Sequence, residues 1–130
     1  MSKDQADIKS IVDTSINAVD ALVSVAQHVL KMLRRMSSSV VFDLKKYYPE
    51  LWNIVDAKHH KFVFSIIKKN IQEGIKEGFY RQDINADIVA RFYVSLTHTV
   101  VDQETFSLEK YERTQLYKEL IKYHLNSILS

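Results

Sequence analysis

Cysteine is absent from the 130 residues, proline occurs once and glycine twice. Without cysteine there is no disulfide and no thiolate metal site. A sheet protein must reverse direction often, and so few turn-formers favour a small number of long helices instead. No apolar run approaches the roughly 18 residues needed to span a bilayer. The segment Met1-Ser2-Lys3-Asp4-Gln5 lacks the apolar core of a signal peptide. A cytoplasmic protein without a membrane partner is expected. Charge of one sign is also scarce. A net charge of +2 is too small to point to nucleic acid. Lys31/Arg34/Arg35, Lys45/Lys46, Lys58/Lys61 and Lys68/Lys69 each lie beside apolar positions with acidic residues in reach, the pattern of solvated faces. What is present is 46% apolar and 26% charged residues, enough for one globular domain with its own core.

The pattern of apolar positions predicts an all-α bundle of about five helices, three of them long. Ile8, Ile11, Val12, Ser15, Val19, Leu22, Ala26, Val29, Leu30 and Leu33 recur at helical spacing, so one amphipathic helix is expected from Asp4 to Met36. His28 falls on its polar side. Ser37–Ser39 can cap a short helix ending at Tyr47. Pro49 suits the first turn of the next helix, 49–77. Its main apolar arc holds Leu51, Trp52, Val55, Phe62, Val63 and Ile66, with His59 and Asn70 inside that arc. A second arc holds Phe64, Ile67, Ile71 and Ile75. Helices are also expected over 86–102 and 108–129, the last capped by Ser107.

Both glycines fall in Ile71–Asn85. Gly78 sits where a helix ends with a residue in the left-handed region. Asn85 is a good N-cap for the helix that follows, with Asp87 in its first turn. Ile84 and Val89 stand at the positions of a hydrophobic staple. The stretch reads as a defined corner between two long helices. Gly74 could admit a close neighbour, which the sequence does not identify.

The spacing Ile71-x-x-Gly74-x-x-x-Gly78-Phe79-x-Arg81-x-Asp83-Ile84 resembles the mid-domain signature of TetR/AcrR-type transcriptional regulators. Tyr47-Tyr48-Pro49-Glu50-Leu51-Trp52 and Leu120-Ile121-Lys122-Tyr123-His124-Leu125 also resemble segments of that family's C-terminal domain, and the resemblance covers about residues 35–128. It implies an effector-binding and dimerisation domain of a repressor. Nothing in the chain matches the family's N-terminal helix-turn-helix. DNA would therefore be reached only through a domain outside this sequence, and no residue is assigned to base contacts. The resemblance further implies a small apolar effector held by Trp52, His59, Phe62, Ile66, Asn70 and Tyr93. It also implies a homodimer built from the last two helices, with Val94, Val101, Tyr117, Ile121, His124 and Ile128 at the interface. The alternative is a stand-alone helical interaction module with a solid core. A cavity of a few hundred Å³ beside Trp52 and His59 would separate the two.

The remaining polar residues support no enzyme. Asp56 and His60, spaced i,i+4, could give two metal ligands, with His98 the candidate for a third. Read alone, the pair is a solvated ion pair, and no metal or cofactor is assigned. Ser95, His98 and Asp102 share one helix strip. A single face does not provide the opposed geometry and oxyanion site of a catalytic triad, so a hydrogen-bond network is expected there. His124 would meet its symmetry mate across the dimer axis, or else pack inside its own subunit.

Overall fold

The computed structural model describes residues 3–35, 38–102 and 104–130. They form an all-α bundle of helices α1 (Lys3–Thr14), α2 (Ala18–Arg35), α3 (Ser38–Tyr47), α4 (Pro49–Glu77), α5 (Ala86–Val101) and α6 (Arg113–Ile128). Helices α2, α4, α5 and α6 pack on one another, while α1 rests on α2 and α3 on α4. No helix among the described residues is long and apolar enough to cross a membrane. Ser37 and Gln103, expected in a cap and a loop, lie outside the described residues.

The core is a continuous cluster drawn from the four packed helices and the corner. Leu22 and Ala26 of α2 meet Ile67 and Ile71 of α4, Ala90 and Tyr93 of α5, and Tyr117, Leu120 and Ile128 of α6. Full burial of a side chain such as Ile71 or Ile128 contributes about 1.5–3 kcal/mol. Burial in α4 is concentrated in its C-terminal half, at Ile67, Ile71 and Gly74. The arc expected to be the main one turns outward at its start, where Leu51 and Val55 are about half exposed.

The single helix expected over residues 4–36 is two. Thr14 Oγ1 and Ser15 Oγ donate back to the carbonyls of Ser10 and Ile11. Asn17 Oδ1 then accepts from the Asp20 amide at 2.8 Å, and Asp20 Oδ2 accepts from the Ile16 amide at 3.1 Å. This reciprocal pairing starts a new helix, as in a capping box. It lets α1 fold back onto α2. The last helix starts at Arg113, not at residue 108. Ser107 caps only one turn, whose carbonyl accepts from the Lys110 and Tyr111 amides. The Phe106 and Tyr111 rings close that turn edge to face.

The corner between α4 and α5 is built by local backbone chemistry. Gly78 has φ 85°, and its amide and that of Phe79 donate to the Ile75 and Gly74 carbonyls. That is a Schellman motif. Asn85 Oδ1 accepts from the Ile88 amide, and Ile84 and Val89 both pack on the core. Tyr80 follows the turn and lies fully buried across Gly74. Its hydroxyl donates to Asn70 Oδ1 at 2.8 Å and lies 3.3 Å from the Ala18 carbonyl. Arg81 N–H donates to the Ile128 carbonyl, and Ser130 N–H to that of Phe79, so Tyr80 and Leu129 form an antiparallel bridge. A Cβ at Gly78 would meet no atom within 4 Å. Gly78→Val is therefore expected to cost only the backbone penalty, about 1–2 kcal/mol in urea unfolding. An unchanged unfolding midpoint would refute the left-handed cap.

Candidate functional site

The six residues expected to line an effector pocket are not brought together around a cavity. Trp52 is half-buried beneath the Lys45 ammonium, 4.9 Å from the ring centre. His59 is exposed and Phe62 half-buried. Asn70 is committed to the corner, donating to the Ala18 carbonyl at 2.9 Å while accepting from Tyr80. Tyr93 is buried, with its hydroxyl 3.5 Å from that of Tyr117, and burial pushes its phenol up to about 12. Ile66 and Asn70 do border a void with Val12, Ala21, Leu22, Val25 and Ile67. Its volume is only about 10 Å³, at the lower limit for one water.

The expected dimer residues divide in a similar way. Tyr117, His124 and Ile128 are buried within the subunit and cannot also face a partner. Ile121 and Val94 are half-buried, and Val101 is exposed. His124 retains only 3% exposure and packs edge-on against the Tyr93 ring at 4.8 Å. Its Nε2 has no hydrogen-bond partner among the described residues, and burial lowers its pKa to about 4. The packing inside its own subunit is thus the one found. The large apolar side chains that α5 leaves open are Ile88, Phe92 and Val101.

Polar groups converge where α4 and α5 run antiparallel. The i,i+4 spacing sets Asp56 and His60 on one face of α4, with Nδ1 of His60 3.5 Å from Oδ2 of Asp56. From α5, His98 stacks on His60 with ring centres 3.7 Å apart and planes 23° apart. Potential donor atoms of the three residues all lie within 4.8 Å of one another. The His59 ring stands edge-on to His60 at 5.8 Å. Burial lowers the His60 pKa, against the opposing pull of Asp56. Among the described residues, Ser95, His98 and Asp102 do not bond to one another. Asp102 turns to the next loop, accepting from Thr105 Oγ1 and the Glu104 amide, and Ser95 offers its carbonyl to Thr99. Among the described residues no serine hydroxyl bonds to His98.

A second cluster lies at the α1–α2 hairpin. His28 Nε2 is 3.4 Å from Asp4 Oδ1, and Asp7 completes the group. Beside it is an open hollow of about 380 Å³ lined by Lys3, Asp4, Asp7, Met32 and Arg35. Sequence reasoning misses this cluster because a continuous helix would keep Asp4 and His28 about 36 Å apart. Reading Asn17 and Asp20 as a capping pair would reveal it. Glu77 is missed as well. Its carboxylate accepts from the Ala18 amide at 3.1 Å and so holds the first turn of α2. No family model, no curated protein and no solved structure matches this chain.

Proposed function

We propose that the chain is the dimer-forming regulatory half of a TetR-like transcriptional repressor, with DNA contacted through a domain outside this sequence. What supports this is the corner, where the residues that carry the resemblance each act differently. Gly78 supplies the left-handed cap, Gly74 makes room for Tyr80, and Arg81 and Asp83 form a 2.7 Å ion pair. The dimer is formed by the outer face of α5, where Ile88 and Phe92 are one helical turn apart and exposed. The small apolar effector rests on the resemblance alone, because Trp52 and Asn70 stand about 27 Å apart along α4. The void beside Ile66 and Asn70, only about 10 Å³, favours a second role, a helical interaction module with no effector. Tyr47, Tyr48, Leu51, Ile54 and Val55, all exposed on α3, α4 and the residue between them, would be its contact surface.

Sedimentation equilibrium separates the two. The repressor domain is expected to be a dimer at micromolar concentration. Phe92→Glu, which places a charge in that interface, should weaken it by about 100-fold or more. Leu51→Glu should leave it intact. A monomeric protein, or a dimer broken by Leu51→Glu and not by Phe92→Glu, overturns the repressor assignment.

A further inference from the structure

We propose that Asp56, His60 and His98 form a binding site for a divalent transition-metal cation across the α4–α5 contact. The site does not depend on the regulatory role proposed above. Asp56 and His60 are one helical turn apart, so both project towards the same neighbour, and the antiparallel run of α5 supplies His98. A tetrahedral site with bonds of about 2.0–2.1 Å spaces its donors by about 3.4 Å. The present donors are all within 4.8 Å, so side-chain rotation closes the set while the helices stay in place. Two polar rings stacked at 3.7 Å occupy a contact that apolar side chains fill elsewhere in the bundle.

The donor types choose the cation. Two imidazoles and one carboxylate suit zinc and its first-row neighbours; magnesium and calcium prefer all-oxygen sets. Three protein ligands leave a fourth position open to water or another ligand. The cluster of Asp4, Asp7 and His28 is the weaker candidate. It offers one imidazole, and Lys3 and Arg35 line the adjoining hollow, adding positive charge that opposes a cation. It therefore serves as the internal control.

The experiment titrates the full chain, without an affinity tag and stripped by chelator, with zinc sulfate in a calorimeter. Expected are one zinc per chain and a thermal midpoint that rises with zinc concentration. His60→Ala and His98→Ala should each weaken binding by at least about tenfold. His28→Ala should leave it unchanged. His98 is exposed, so its replacement should keep the helical circular dichroism. His98→Gln, which preserves size and polarity, is measured beside it and should show the same loss. Cobalt in place of zinc should give the visible absorption of a tetrahedral site, absent in both His98 variants. The assignment is overturned by the absence of saturable zinc or cobalt binding. Binding that survives the His60→Ala/His98→Ala double replacement, or is lost with His28→Ala alone, overturns it equally.

Discussion

Gly74→Ala should destabilise the protein by about 2–4 kcal/mol, although alanine is the better helix former. A Cβ built at Gly74 lies 1.9 Å from Cδ2 of Tyr80 and 2.2 Å from Cε2. Tyr80 is fully buried between α4 and the core, so the ring cannot shift within its site. It must leave, taking with it the hydrogen bonds to Asn70 and Ala18. Emptying an aromatic site costs about 3–5 kcal/mol. The helix propensity of alanine over glycine returns about 1 kcal/mol. Against a typical total of about 5–15 kcal/mol, the variant is marginal. A double-replacement cycle in urea checks the cause. Once Tyr80→Ala has removed the ring, adding Gly74→Ala should cost nothing further or stabilise. Strict additivity of the two losses would show that Gly74 does not act through Tyr80.

The second large effect is acid sensitivity centred on His124. Its pKa is about 4 in the folded protein because burial penalises the imidazolium, and about 6.5 when the chain unfolds. Between these values the unfolded chain holds more protons. Folding stability is therefore complete above about pH 6.5 and is lost as pH falls towards 4. The gap corresponds to about 3 kcal/mol. His124→Leu removes the titrating group and forfeits no hydrogen bond of Nε2, which has none among the described residues. The variant should therefore lose much less stability than the parent between pH 7 and pH 4, measured by urea unfolding at each pH. Parallel pH profiles would show that His124 is not the group responsible.

Those two residues also mark what the sequence can and cannot disclose. The corner is readable because Gly78 and Asn85 act on the backbone beside them, and such local chemistry needs no knowledge of the rest of the fold. The residue lying on Gly74 is only six positions away, yet the sequence does not single it out, because its approach depends on how the turn closes. The break before Ala18 is hidden by apolar spacing that continues through Ser15 and Val19 as though the helix did. A few short polar side chains, on Thr14, Ser15, Asn17 and Asp20, decide otherwise.

Apolar stripes have a further ambiguity. They tell that a face is covered, not by what. The continuous stripe through Tyr117, His124 and Ile128 suggests a partner chain, but α5 and α2 of the same subunit cover it. Likewise Trp52 and Tyr93 lie on arcs that foretell burial without telling whether the space between is empty. The candidate metal site is half legible. The spacing of Asp56 and His60 is fixed by the helix, whereas the arrival of His98 depends on where α5 crosses α4.

The tie at Ala18 gives α2 a mechanical asymmetry. Its first residue is held three ways: Glu77 takes the amide, while Asn70 and Tyr80 meet the carbonyl. The far end has an exposed Arg34 and Arg35. An 18-residue helix is about 27 Å long. Beyond Ala18 the helix is held to the core by packing, through Leu22, Ala26, Val29, Leu30 and Leu33. Because α1 rests on α2, its position is set at second hand by the same three bonds at Ala18.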